Sequence, residues 1–318
     1  MTVWLEFEKP VLELEQKIAE LREHSEEHGV GAEREIEELE KRAGEMRRDI
    51  YANLSRYQRV QIARHPKRPF SLDYIAACFT GFEELHGDRH FADDPAIVGG
   101  LAWLEGRAVM VIGQQKGRDT KENLLRRFGM PNPEGYRKAL RLMQLAARFH
   151  VPIVTLVDTD GAYPGLGAEE RGQAEAIAVN LREMATFGVP IVTVVIGVGG
   201  SGGALAIAVS DRVLMFEHSV YSVISPEGCA SILWRDGKQG AKAAEALRLA
   251  APDLVELGVI DGVLPEPFGG AHRDPAAAAA TLKTALIANL DALSGVSGED
   301  LIRLRAERFR RMGVFQEL

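Results

Sequence analysis

Five glycines crowd the nine residues Gly197-Val198-Gly199-Gly200-Ser201-Gly202-Gly203-Ala204-Leu205, between a strand-like run, Ile191 to Ile196, and a short apolar helical run, Ala204 to Val209. Such a junction suits negative charge. Glycine lets the backbone approach a ligand closely, and the first amides of a helix point outward without an internal acceptor. Three chemistries compete for it. Gly197, Gly199 and Gly202 fit the dinucleotide spacing G-x-G-x-x-G, with Glu217 near the distance of a ribose-binding acid. Gly199, Ser201 and Gly203 fit the nucleophile elbow G-x-S-x-G, with Asp211 or Asp261 and His218 or His272 downstream. In the third reading the peptide N–H groups of Gly202, Gly203 and Ala204 form an oxyanion hole, and no side chain of the run reacts. A tight turn that packs a helix on a sheet is the plain structural alternative.

A second run has the same grammar. Strand Ile153 to Val157 leads into Asp158-Thr159-Asp160-Gly161-Ala162-Tyr163-Pro164-Gly165-Leu166-Gly167 and then into a helix from Ala168. Two successive crossovers place both helix starts on one side of a sheet, where ligands usually bind. Tyr163 and Pro164 would give such a pocket a flat apolar wall. A surface turn rich in Asp, Gly and Pro is the alternative.

The elements that must carry these loops read as an α/β body. Strands are expected at Ile97–Leu104, Ala108–Ile112, Ile153–Val157, Ile191–Ile196, Val213–Phe216, Tyr221–Ile224 and Val259–Leu264. Helices fall at Gly135–Phe149, Glu169–Phe187 and Ala241–Leu249, with two more, Pro275–Leu293 and Glu299–Arg311, at the C-terminal end. Ahead of them, Val11, Leu14, Ile18 and Leu21, then Ile36, Leu39, Ala43 and Met46, recur at helical spacing around Gly29 and Gly31, predicting a hairpin of two amphipathic helices. Arg56 to Pro69 reads as a basic connector. The expected domains are 1–68, an arm with its connector; 69–295, the catalytic body; and 296–318, a helical extension.

Composition narrows the function classes. The 318 residues are 46% hydrophobic and 26% charged, as in a soluble globular protein. Residues 1–50 carry 15 acids and 8 bases, so most of the net charge of −8 sits on the arm. No basic face suited to nucleic acid is expected. No run of some 18 uncharged apolar residues or signal-peptide core is evident, so a cytoplasmic protein without a membrane is expected. Only Cys78 and Cys229 are present, too few for a disulfide framework or a four-cysteine zinc site, and His24 and His28 have no third ligand nearby. No metal is expected. Lys116, Arg118, Lys121, Arg126 and Arg127 read first as a solvated mixed-charge loop and second, from their cation density, as a phosphate site.

Several of these segments together carry a resemblance. Gln114-Lys116-Gly117-Arg118, Phe128-Gly129-Met130-Pro131, Pro133-Glu134-Gly135-Tyr136-Arg137-Lys138-Ala139, Gly161-Ala162-Tyr163-Pro164-Gly165 and Ala168-Glu169-Glu170-Arg171-Gly172-Gln173 appear in order. Gly199-Gly200-Ser201-Gly202-Gly203-Ala204-Leu205-Ala206 and Tyr221-Ser222-Val223-Ile224-Ser225-Pro226-Glu227-Gly228-Cys229 follow. The chain resembles, over nearly its whole length, the α subunit of the carboxyltransferase component of bacterial acetyl-CoA carboxylase. That resemblance implies a crotonase-like (ClpP/crotonase) layered body and transfer of a carboxyl group from carboxybiotin, borne by a separate carrier protein, to acetyl-CoA, giving malonyl-CoA for fatty-acid synthesis. It implies a zinc-ribbon β subunit in an α2β2 assembly, a biotin carboxyl carrier protein, and a biotin carboxylase that uses ATP. Two oxyanions then need two holes. The resemblance assigns the Gly203 and Ala204 amides, with Gly202 close by, to the biotin ureido oxygen, Gly161 to Gly165 to the lining of the biotin pocket, and the acyl-CoA hole to the β subunit. Family members commonly carry Glu in place of Val198 and Pro in place of Asp160. A hydrolase using Ser201 and a non-catalytic assembly subunit built around the charged arm are the other readings.

Overall fold

Alternate residues of the central strands bury on opposite faces, and this period of two organises the body. The computed structural model describes residues 5–28 and 33–313. Strands β1 (Thr80–Glu84), β2 (Ile97–Leu104), β3 (Arg107–Gln114), β4 (Ile153–Thr159), β5 (Ile191–Gly200), β6 (Arg212–Phe216), β7 (Val220–Ser222) and β8 (Gly262–Leu264) form one sheet in the order β1-β2-β3-β4-β5-β6-β8, with β7 paired to β5. β1, β2 and β3 are antiparallel neighbours; β3 to β6 and β8 run parallel. β4 is buried along its whole length and β5 along all but Gly200, as parallel strands covered on both faces must be. The two threonines at their centre satisfy each other, Thr155 Oγ1 lying 2.7 Å from Thr193 Oγ1.

Helices α1 (Lys9–His28) and α2 (Glu33–Ala52) form the arm, followed by α3 (Arg56–Ala63) and α4 (Ser71–Cys78). Then come α5 (Thr120–Leu125), α6 (Pro133–Arg148), α7 (Leu166–Glu170), α8 (Gln173–Met184), α9 (Ser201–Leu205), α10 (Pro226–Trp234), α11 (Gly240–Leu247), α12 (Ala251–Glu256), α13 (Pro275–Leu293) and α14 (Gly298–Arg310). One core layer joins Met110, Ile112, Ile153, Val195 and Met215 to Leu142 and Met143 of α6. The other joins Val111, Val154, Val194 and Phe216 to Tyr74 and Ile75 of α4 and to Leu282, Leu286 and Leu290 of α13. By length and composition α13 could cross a membrane, but its buried leucine row faces this second core.

Arm helices α1 and α2 run antiparallel, cross-linked by ion pairs Arg47–Glu15 and Arg22–Glu40. The predicted break at Gly29 and Gly31 lies outside the described residues. At the foot of the arm, Tyr51 donates to Glu8 Oε1 at 2.9 Å and to the Gly269 carbonyl at 3.1 Å, while Arg273 binds Glu8 at 2.8 Å. The connector differs from expectation. Ser55 and Gln58 make a reciprocal capping box that starts α3. Two further differences have local causes. β1 is a mostly exposed edge strand with too few apolar positions to stand out, and Gly172, at φ 82°, divides the predicted helix Glu169–Phe187 into α7 and α8.

Candidate active site

The glycine run is not a loop. β5 continues through Gly200 and α9 starts at Ser201, so three of its glycines are strand and two are helix. The expected helix Ala204–Val209 therefore begins three residues earlier and ends at Leu205. The turn from strand to helix is concentrated at Ser201, whose φ is 54°. Glycine is required here by contact: a Cβ on Gly200 would lie 2.3 Å from the Asp160 carbonyl oxygen. One on Gly203 would lie 2.4 Å from the Ala162 nitrogen and 2.5 Å from the Gly161 carbonyl carbon. The two glycine runs thus interlock, backbone on backbone, where Thr159 of β4 pairs with Gly199 of β5. Gly202 and Gly203 lie in the first turn of α9. Ala204 is its fourth residue, the first whose amide has a carbonyl four residues back, that of Gly200.

On the second run, Gly161 is buried, Ala162, Tyr163 and Gly165 are half-buried, and Pro164 is exposed. The Tyr163 ring folds over Gly165, where a Cβ would meet Cε1 at 2.4 Å. Gln173 Nε2 donates to the carbonyls of Pro131 and Tyr163, at 2.9 and 3.0 Å, and fixes the loop. A cavity of about 280 Å³ opens beside α9, lined by Ser201, Gly202 and Leu205 and by Tyr221, Ser222 and Val223. Tyr163 and Pro164 do not line it; their loop packs against Gly203 instead. Burial pushes the Tyr221 phenol up to about 12, so it stays neutral. A larger cavity, about 420 Å³, lies between α14 and β6 and includes no residue of either glycine run.

Behind the junction sits a polar clamp that no spacing pattern in the sequence marks. Gln114, fully buried at the end of β3, donates from Nε2 to the Gly203 carbonyl at 2.8 Å and accepts from the Asp158 amide at 3.0 Å. Asp158 Oδ1 in turn accepts from Lys116 Nζ at 2.7 Å and from the Val198 amide at 3.0 Å. A glutamine closing the apolar run Val109–Gly113 was the available signal. The neighbouring cations are likewise engaged: Arg118 with the carbonyls of Pro66 and Arg68 and the carboxylate of Asp73, Arg126 with Glu122, and Arg127 with Asp94. Of that stretch Lys121 alone is simply exposed, which leaves little for CoA phosphates. Val198 is buried beside Val60, Ala63 and Val220, a site suited to an apolar residue, and Asp160 is exposed.

The rival chemistries lack their partners. His218 Nδ1 is 3.0 Å from Arg59, His272 stacks on His65, Asp211 is held by Arg305, and Asp261 pairs with Arg308. None of them bonds Ser201, so the elbow has no base. Gly197 lies inside β5 against Asp158, and the parallel strands follow chain order without the reversal that makes a dinucleotide crevice. Among the described residues no group of three or more His, Cys, Asp or Glu is placed to hold a metal. Both cysteines are buried.

Residues 4–313 match the family model described as acetyl co-enzyme A carboxylase carboxyltransferase-like. The chain belongs to this family. Relatives named acetyl-coenzyme A carboxylase carboxyl transferase subunit alpha include one from Geobacter metallireducens, 64% identical over 98% of both chains. Another, from Thermus thermophilus, is 60% identical over 98% of this chain and 99% of its own. Among solved structures, a Pseudomonas malonate decarboxylase hetero-tetramer in complex with coenzyme A aligns at TM-score 0.59 and 19% identity, over 76% of this chain and 96% of that one. The transcarboxylase 12S structure aligns at 0.55 and 22%, over 70% and 42%. These bear out the crotonase-like α/β class expected from the resemblance. This acetyl-CoA carboxylase carboxyltransferase-like chain is a transferase subunit, and its relatives' designation as subunit alpha means that it works with other subunits.

Proposed function

We propose that the interlocked glycine runs are the biotin half of a carboxyl-transfer site that makes malonyl-CoA from acetyl-CoA. The observation that carries this reading is the backbone contact of Gly203 with Gly161 and Ala162. It leaves no room for a side chain at the junction and sets peptide groups, rather than a catalytic triad, beside the cavity at Ser201 and Gly202. Carboxybiotin, brought by a carrier protein, supplies the carboxyl group and a ureido oxygen that becomes negative as that group departs. Amides of Gly202 and Gly203 donate to that oxygen. The Ala204 peptide closes the turn that aims them, and Gly161 to Gly165, with Tyr163 and Pro164, support the junction from behind. Donors fixed by the fold need no reorganisation when charge develops, and each is worth about 2.7 to 4 kcal/mol of transition-state stabilisation.

The acetyl-CoA enolate needs a second hole. In this reading a zinc-ribbon β subunit supplies it, within an α2β2 complex fed by a biotin carboxyl carrier protein and an ATP-using biotin carboxylase in the cytoplasm. Val223 on the cavity wall and, further along the chain on α10, Ile232 and Leu233 are exposed, at 76, 73 and 61%, and suit a covering subunit. Residues 69–295 form the catalytic body, with 1–68 as arm and connector and 296–318 as extension. The test is reconstitution. Malonyl-CoA should form from carboxybiotin and acetyl-CoA with this chain and the β subunit together, and with neither alone; full activity of this chain by itself would overturn the two-subunit site.

A further inference from the structure

We infer that Gln114 is a positioning residue for carboxyl transfer, aiming the Gly202–Gly203 amides by holding the Gly203 carbonyl. This rests on the amide reading above and deepens it. α9 is only five residues long and cannot hold its own direction by internal bonding. Its last turn is loose: the Ile207 amide reaches the Ala204 carbonyl at 3.3 Å, leaving the Gly203 carbonyl without a helical donor. Gln114 Nε2 fills that place at 2.8 Å. The other end of the same side chain accepts the Asp158 amide, so one buried carboxamide couples α9 to the end of β4.

Three features make this coupling specific to the site. The Gly203 carbonyl and the Ala204 amide belong to one peptide, which closes the first turn of α9 onto the Gly200 carbonyl, so the bond that holds and polarises this peptide fixes the turn that aims the two donors. Asp158, the other partner, binds the Val198 amide of β5 and the Lys116 ammonium, so Gln114, Asp158 and Lys116 tie β3, β4, β5 and α9 at one point. Gly203 also rests on Gly161 and Ala162, so any movement of its carbonyl moves the contact between the two glycine runs. Gln114 does not line the cavity beside α9 and touches no reactant there. Its effect passes through the Gly203 peptide.

Two substitutions in the assembled complex, supplied with the carboxybiotinylated carrier and acetyl-CoA, test it. Gln114→Met keeps the volume and deletes both bonds. Gln114→Glu keeps the shape, and its acid form can donate to Gly203 and accept from Asp158, whereas its carboxylate cannot donate. Burial raises the pKa of such a carboxyl, bringing the change of state towards neutral pH. Misplacing reacting groups by an ångström costs about 100-fold, so kcat of Gln114→Met should fall by that order at every pH with the KM for acetyl-CoA within about twofold. Gln114→Glu should match it at pH 8 and regain at least about tenfold, relative to the unsubstituted complex, by pH 6. Native kcat in both variants, a Gln114→Glu deficit that ignores pH, or failure of both to assemble would each overturn the inference. Absence of malonyl-CoA from the unsubstituted complex would instead overturn the functional reading beneath it.

Discussion

Ser201 and Gly203 stand two residues apart and make opposite demands on substitution. Ser201 is exposed, and among the described residues no base bonds its hydroxyl; Ser201→Ala should leave carboxyl transfer within a few-fold of native, measured as malonyl-CoA formation by the complex. A loss of several orders of magnitude would restore the nucleophile reading. Gly203→Ala adds one methyl group against the backbone of Ala162 and Gly161, which cannot move aside as a side chain could. Overpacking of this kind costs about 1 to 3 kcal/mol, and the displaced junction should lose most of its turnover. A lowered melting temperature together with lost kcat is the expected result; native turnover would show that the two glycine runs need not touch.

Between elements, one buried tie is the pair Arg68–Glu266, side chains 1% and 0% exposed, which binds the connector after α3 to the segment after β8. Arg68 also donates to the Ile196 carbonyl of β5 at 2.9 Å, just before the glycines. Burial alone would push the Glu266 carboxyl up, but the Arg68 guanidinium holds it down at about 2. Its folded pKa lies below the ordinary carboxylate range, so its contribution to stability is complete above about pH 4.5 and is lost as pH falls towards 2. Glu266→Gln strands the arginine charge and should cost about 3 to 5 kcal/mol while flattening that acid limb, as read by urea unfolding across pH 2 to 6. Neither partner advertised itself. Arg68 looked like one more cation of a basic connector, and Glu266 stands alone between two prolines. The strands at the core were legible because Ile153–Val157 and Ile191–Ile196 are buried on both faces and so are apolar but for one threonine each, Thr155 and Thr193, which satisfy each other. The junction was legible in composition but not in conformation: glycines read as a loop, whereas pairing with β4 and β7 keeps Gly199 and Gly200 in strand. Gln114 was legible as a polar stop to the apolar run Val109–Gly113 and as part of a family resemblance, but its role was not, because that depends on where Gly203 comes to rest.

For the whole molecule, the charge balance and the C-terminal helices matter most. The acidic arm hangs from a nearly neutral body by the Tyr51, Glu8 and Arg273 contacts, whereas α14 is driven into the core. Arg305, 1% exposed, donates to both oxygens of Asp211 and to the carbonyls of Met184, Phe187 and Val189. Arg305→Met should leave that carboxylate buried without its counter-charge and destabilise the protein by about 3 to 5 kcal/mol, seen as a lower midpoint of denaturant unfolding. An unchanged midpoint would mean that water reaches Asp211 and replaces the guanidinium. The same bond also bears on how the chain is made. Asp211 leaves the ribosome 94 residues before its partner, and at about 5 to 20 residues per second that interval lasts seconds. Until then the end of the sheet lacks the guanidinium that meets this acid and three carbonyls, so closure of the body waits until α14 emerges.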